Sequence, residues 1–290
     1  MPGFPPPFLR RMAFLGLAFV LARTSPAGPL PLAAPAPEKS LFLATTTSVD
    51  ATGLLDLLAD EFRKASGIAL KWTAVGTGAA LKQARDGNAD AVIAHAKVLE
   101  EEFIREGYGL NRRVFARNYF LVVGPEADPA GAAGSPSATE AFRRVKAGGF
   151  SFVSRGDNSG THVRELEIWA KAGDRPGKNY LEAGQGMAET LRVASERKAY
   201  ALTDSATFFN LAGLSGLRLI YENCPELENI YSVIAVNPAR IPTAKYEEAM
   251  AFIAFLTSPR GQKAIGEFKT KGGRRLFEPM ASVPGVDSEK

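Results

Sequence analysis

Cysteine and histidine are almost missing from this 290-residue chain: Cys224 stands alone, and His95 and His162 are its two histidines. One cysteine excludes an intramolecular disulfide, and these three dispersed residues do not make a metal site at any recognised spacing. Cys224 precedes Pro225, far from the N-terminus, so it is no lipid-modified N-terminal cysteine. A membrane-spanning run is also lacking. The unbroken apolar stretch from Met12 to Ala22 is about half of the roughly twenty residues a span needs. An excess of one charge is missing too, once the N-terminus is set apart. The chain has 35 Lys and Arg against 31 Asp and Glu, and three of the arginines (Arg10, Arg11, Arg23) lie in the first 37 residues, which contain no acid. Beyond them the balance is near neutral, which removes the compositional case for a nucleic-acid partner.

Those first residues carry a basic flank, a short apolar core and then, from Leu30 to Pro37, a Pro/Ala-rich linker. This is the pattern of a secretory signal. An exported chain with neither a lipid-attachment cysteine nor a second hydrophobic span is expected to be soluble and periplasmic.

From Ser40 onward, strand-like and helix-like segments alternate. Leu41–Ala44, Ala69–Val75 and Ala91–Ala94 read as strands; each leads through a loop into a helical pattern, the first with Leu54, Leu55, Leu58 and Phe62 on one face. Arg117–Val123 reads as a longer strand, followed by a Gly/Pro/Ala-rich connection. Helices are expected near Thr139–Ala147 and Met187–Arg197, strands at Ala199–Leu202, Leu217–Tyr221 and Tyr231–Val236, and two helices at the C-terminal end. Glu100-Glu101-Glu102 reads as a solvated helix face. The alternation predicts an α/β fold with mostly parallel sheets and flanking helices. One organisation accounts for it: a first lobe, 38–121 with 235–290, and a second lobe, 122–234, joined by two crossings that form a hinge.

In open α/β sheets, ligands gather where strands end and helices begin. Three such junctions are rich in small hydroxyl residues and glycine: Thr45–Ser48, Gly76–Gly78 and Arg155–Thr161. The last is the most specific. Ser154-Arg155-Gly156-Asp157-Asn158-Ser159-Gly160-Thr161 follows the apolar Phe150–Val153 and opens a helix in which Val163, Leu166 and Trp169 recur at helical spacing, Glu167 and Lys171 form an i,i+4 pair, and Gly173 stands at the C-cap position. A helix N-terminus with free N–H groups, hydroxyls and a planar, permanently charged guanidinium favours an anion. The chemistry is that of holding an oxyanion. Thr46, Thr47, Ser48, Thr77, Ser159 and Thr161 would supply hydroxyls, Gly78 and Gly160 accessible backbone N–H groups, and Arg155 the charge. Asp157 is placed to orient that guanidinium. No nucleophile with a separate base and orienter is spelled out, so the chain is expected to be a binding protein, without catalytic residues, resident metal or cofactor.

Six segments carry a resemblance to a known family: Leu43–Ser48, Ala74–Gly78, Glu106–Arg113, Ser154–His162, Glu182–Met187 and Leu202–Asp204. In order, over nearly all of residues 40–280, the chain resembles the tungstate-binding proteins of bacterial tungstate ABC importers, relatives of the phosphate- and molybdate-binding periplasmic proteins. The resemblance implies a type II periplasmic binding fold closing on one oxyanion. Thr46, Thr47 or Ser48 and the Thr77–Gly78 turn would act from the first lobe, and Arg155, Ser159, Gly160 and Thr161 from the second. Gln185 and Thr203 fall in matching segments without an assigned contact. The partners implied are a small oxyanion and membrane permease subunits, with the protein itself a monomer. Phosphate-binding relatives place an aspartate after the third strand, where it accepts the proton of hydrogen phosphate; here that loop reads Ala94-His95-Ala96. An unprotonated dianion is therefore expected, and the resemblance implies tungstate first and molybdate second. Sulfate passes the same test. A phosphate or sulfate receptor of this fold, a sensory binding protein, and an α/β enzyme acting on phosphorylated substrates are the alternatives.

Overall fold

The computed structural model describes residues 38–211, 216–269 and 273–281, and Gly3. Apart from that glycine, the expected signal and linker at 1–37 lie outside the described residues. The chain runs β1 (Ser40–Thr46), α1 (Thr47–Asp50), α2 (Leu54–Ser66), β2 (Ala69–Val75), α3 (Thr77–Arg85), β3 (Ala91–Ala94), α4 (Lys97–Arg105) and β4 (Gly109–Pro125). It continues through α5 (Ala138–Ala147), β5 (Phe152–Ser154), α6 (Gly160–Ala172), β6 (Tyr180–Glu182), α7 (Met187–Glu196), β7 (Ala201–Asp204), α8 (Ser205–Asn210) and β8 (Leu217–Tyr221). It ends with β9 (Glu228–Val236), α9 (Tyr246–Thr257), α10 (Pro259–Glu267) and β10 (Glu278–Pro279).

Local chemistry sets several of these boundaries. Apolar Leu54, Leu55, Leu58 and Phe62 give α2 its buried face, and the left-handed Gly67 (φ 73°) ends it by donating its N–H to Arg63 O. Ser137 caps α5 and Ser258 caps α10, with Pro259 opening the latter. Thr45 and Thr46, expected in a loop, complete β1, and Thr47 and Ser48 begin α1.

As the alternation predicts, β2, β1 and β3 pair in parallel. The two long strands do not: β9 is antiparallel to both β3 and β4. β4 is the spine. It pairs with β9 from Gly109 to Tyr119, then with β7 from Phe120 to Val123 and with β8 from Val122 to Pro125, so it changes partners between Tyr119 and Phe120. Its first half, Gly109–Ala116, escapes a reading by periodicity because Asn111, Arg112 and Arg113 break the apolar pattern.

Two groups of apolar side chains follow the division. Leu41, Leu58, Phe62, Tyr231, Phe252 and Leu256 pack on one side of the partner change. Phe120, Phe142, Phe152, Trp169 and Tyr200 pack on the other, with Phe142 and Trp169 centroids 4.5 Å apart. Tyr231 and Val233 belong to the first group and Leu227 to the second. β9 pairs with β3 and with the Gly109–Tyr119 part of β4.

Two charged sites depart from the sequence pattern. Glu100, expected on a solvated face, is fully buried: it accepts from Ala96 N at 2.7 Å, Arg112 Nε at 2.9 Å and Ser232 Oγ at 2.6 Å. Helix α6 buries Glu165, Ile168, Trp169 and Ala172 rather than Val163 and Leu166, and Glu167 pairs with Arg164, not Lys171. A carboxyl fits this core face because Tyr180 Oη donates to Glu165 Oε1 at 2.6 Å.

Burial pushes the Glu165 carboxyl up to about 7. A raised folded pKa means that the folded state binds the proton more tightly. The associated stability is complete below the ordinary value of 4.5 and is lost as pH rises through about 7. Between pH ~5 and ~8, wild type should lose more stability than Glu165→Gln, by ~3 kcal/mol at most, measured by thermal unfolding at each pH. Parallel curves for the two proteins would contradict this.

Candidate functional site

Three strand-to-helix junctions converge where β4 changes partners: β1 to α1, β2 to α3, and β5 to α6. Thr47, Ser48, Gly76, Arg155, Asp157 and Gln185 are among the residues lining a cleft of about 430 Å³. Gly184, Gly186 and the first residues of α7, Met187 and Ala188, also line it. Side-chain caps shape each helix entry: Thr46 accepts from Val49 N, Ser159 from His162 N, and Asp204 from Thr207 N.

The loop before α6 folds back on itself. Gly156 (φ 66°) and Asn158 (φ 56°) both take left-handed conformations, which suit these residue types. The turn presents Asp157 to Arg155 Nε at 2.7 Å, and the second carboxylate oxygen accepts from Ser159 N at 3.0 Å. Asp157 orients the guanidinium as the sequence predicts. Only 4% of the Arg155 side chain is exposed. Its Nη2 donates to Thr47 Oγ1 at 3.2 Å, tying the two lobes together. Its Nη1 has no hydrogen-bond partner among the described residues, and the Thr47 hydroxyl, which accepts, keeps its own hydrogen to give.

Behind this lies a buried polar chain. Thr46 Oγ1 and Ser48 Oγ are 3.1 Å apart, Ser48 Oγ is 3.1 Å from His95 Nε2, and His95 Nδ1 is 2.9 Å from Asn229 Oδ1. Asn229 Nδ2 donates to Asn118 Oδ1 at 2.8 Å and to Tyr231 Oη at 2.7 Å. Burial lowers the His95 pKa to about 4; the Asn229 hydrogen bond works against that shift, and the Arg155 charge adds to it. His95 is therefore neutral at neutral pH. Burial likewise lowers His162, whose Nδ1 accepts from Asn158 N at 3.0 Å, and raises Asp204, whose oxygens accept from Thr207 N and Oγ1.

Most of the residues singled out from sequence come together here. Thr46, Ser48, Ser159, Gly160 and Thr161 are buried at the junctions, and Thr47 and Arg155 meet across the cleft. The hydroxyls of Thr45, Thr77 and Thr161 are buried without a hydrogen-bond partner, the condition a ligand rich in acceptor oxygens would relieve. Gly78 is different. It is exposed, and a Cβ there would meet nothing within 4 Å. Gln185 stands in the cleft wall, whereas Thr203 is buried and donates to Asp204 O.

The sequence reading missed the His95–Asn229–Asn118 chain and the Asp204 cap. One signal was available, since Asn118 and Asn229 are poor strand formers inside two long strands. Among the described residues, no cluster of His, Cys, Asp and Glu could hold a metal ion, and no helix is long and apolar enough to cross a membrane.

The chain is similar to known proteins in sequence and in fold. The PBP superfamily domain matches residues 33–260. The tungstate-binding protein TupA of Peptoclostridium acidaminophilum is 40% identical over 275 residues, 93% of this chain and 96% of the relative. Among solved structures, the tungstate-binding protein TupA from Desulfovibrio alaskensis G20 superposes with a TM-score of 0.75 at 41% identity, over 83% of this chain and 99% of that one. The tungstate ABC transporter structure from Geobacter sulfurreducens gives 0.74 at 42% identity, over 80% and 99%.

The lobes approach closely at Gly160, where a Cβ would lie 2.5 Å from His95 Cε1 and 2.7 Å from Nδ1. Gly160→Ala should therefore cost ~1–3 kcal/mol through overpacking, and much less in a His95→Ala background. A double-mutant cycle of unfolding free energies measures the coupling; additive effects would mean that the two residues are not in contact.

Proposed function

The chain belongs to the PBP superfamily and, within it, to the family of the tungstate-binding proteins, and from that premise we propose that it captures tungstate between its two lobes and hands it to the permease of an ABC importer. The observation that carries this reading is Arg155: a buried guanidinium, held by Asp157 from its own lobe and touching Thr47 from the other, with Nη1 unspent. It offers one fixed positive charge to a tetrahedral anion. Neutral donors stand at the same three junctions: the unpartnered hydroxyls of Thr45, Thr77 and Thr161, the Thr47 and Ser159 hydroxyls, and the N–H groups that open α6. A small number of charge-assisted bonds in a water-poor site gives strong binding without a large excess of positive charge.

Capture depends on closure. Thr45, Thr47 and Thr77 belong to one lobe, and Arg155, Ser159, Gly160 and Thr161 to the other. The anion therefore binds the closed arrangement better than the open one and shifts the population toward it. The donor set favours a fully deprotonated oxyanion, because both nearby carboxylates are already engaged, Asp157 by Arg155 and Ser159, Asp204 by Thr207. Molybdate satisfies the same donors and is the second ligand. The protein acts as a periplasmic monomer without a resident cofactor, and binds rather than transforms its ligand.

Calorimetry on the protein from residue 38 onward should show one tungstate per chain. Phosphate bound in preference to tungstate would overturn the assignment. Tungstate at about a hundred times its Kd should add ~2.7 kcal/mol of stability, read as a raised Tm. Arg155→Lys keeps the charge but cannot reach Asp157, Thr47 and an anion together, so its affinity should fall about tenfold or more. Unchanged affinity would place the anion elsewhere.

A further inference from the structure

The chain Thr46–Ser48–His95–Asn229 has a direction. Asn229 spends both amide hydrogens on Asn118 Oδ1 and Tyr231 Oη, so its Oδ1 faces His95 and the proton of the neutral imidazole lies on Nδ1. His95 Nε2 is then an acceptor, and the group that reaches it is the Ser48 hydroxyl at 3.1 Å. With its hydrogen turned toward His95, Ser48 presents only a lone pair to the cleft. A dianion repels that lone pair. Ser48 can donate to the anion and still keep its hydrogen bond to His95 only if His95 gives a hydrogen to Ser48 Oγ, and with Nδ1–H held by Asn229 this requires a second proton on the ring. Otherwise the buried Nε2 is left without a donor.

We propose that His95 is a positioning residue and that anion capture draws one proton from solvent onto its Nε2, reversing the Ser48 hydroxyl so that it donates to the ligand. This rests on the oxyanion-capture reading. The step is balanced: water or buffer gives up a proton, His95 Nε2–H then donates to Ser48 Oγ, and no covalent bond to the ligand forms. The first half of the path, Ser48–His95–Asn229, shares its order with a nucleophile, base and orienter. An imidazole this weakly basic is poorly matched to general-base work at neutral pH.

The surroundings of His95 make such a proton depend on the ligand. Arg155 faces it from the β5–α6 junction and opposes a second charge; Tyr231 on β9 stays neutral, and Phe120 on β4 adds apolar surface. From α6, Gly160 packs on the ring and His162 lies beyond it, while Asp204 at α8 and Glu100 on α4 have their oxygens engaged elsewhere. Without an anion, the Asn229 acceptor is the one neighbour that favours the imidazolium, and burial outweighs it. Two negative charges at close range in a water-poor cleft reverse that balance.

The test is calorimetry of tungstate binding at pH 6.5 in two amine buffers of different ionisation heat, where the dependence of the observed heat on the buffer counts protons. Wild type should take up roughly half a proton or more per tungstate, and its affinity should rise by up to about tenfold per pH unit as pH falls from 8 to 6.5. His95→Gln should bind more weakly and take up none. Asn229→Asp places a carboxylate against Nδ1–H, charges His95 before the ligand arrives, and should also lose the uptake. A purely structural role would alter affinity while leaving the proton count unchanged. Binding by wild type without uptake, or uptake that survives in His95→Gln, overturns the inference; absence of tungstate binding overturns the capture reading itself.

Discussion

Everything at the centre of this protein answers to one constraint: a guanidinium kept almost wholly out of water must find its partners on both sides of a divide. Arg155 has one carboxylate, Asp157, two residues away in its own loop, and one neutral oxygen, Thr47, on the far lobe. A single half-buried carboxylate balances its charge through Nε without using its fork. The remaining donors are fixed in place with no lone pair to absorb them, and that is the property an oxyanion exploits. Breaking the Asp157 contact would leave an uncompensated charge, far more costly than the pair is stabilising.

The fold exists to hold that arrangement at the join of two lobes. β4 serves both, pairing with β9 before Phe120 and with β7 and β8 after it. The polar groups behind the cleft hang from these same crossing strands: Asn118 from β4, Asn229 and Tyr231 from β9. His95, at the end of β3, reaches the hinge through Asn229, the first-lobe hydroxyls through Ser48 and the second lobe through its contact with Gly160. Movement of one lobe relative to the other therefore bears on the orientation of the hydroxyls, since the same imidazole touches both. One member of this network is left over, since Asn118 Nδ2 is buried without a hydrogen-bond partner.

Buried acids elsewhere show how polar groups are kept inside such a structure. Glu100 is held in the core by a backbone N–H, Arg112 and Ser232, which together engage both of its oxygens. Glu165 has a tyrosine but no cation, and burial holds its proton on to about pH 7. The same residue type at the same depth meets two environments: three donors including a guanidinium for Glu100, and one tyrosine for Glu165.

The sequence by itself determined the alternation of strands and helices, the three hydroxyl-rich junctions and the caps, because these depend on neighbours a few residues apart: Gly67 after Phe62, Ser159 before His162, Asp157 beside Arg155. It also carried the family likeness, since motifs such as Ser154–His162 are local. Tertiary structure decided what lies across long separations. That Glu100 is buried, that Asn229 steers His95, and that Gly160 leaves room for an imidazole 65 positions earlier in the chain are not written in any window of residues. Periodicity reports whether a position faces inward; it cannot report which partner waits there, and for a buried polar group the partner determines charge, tautomer and role.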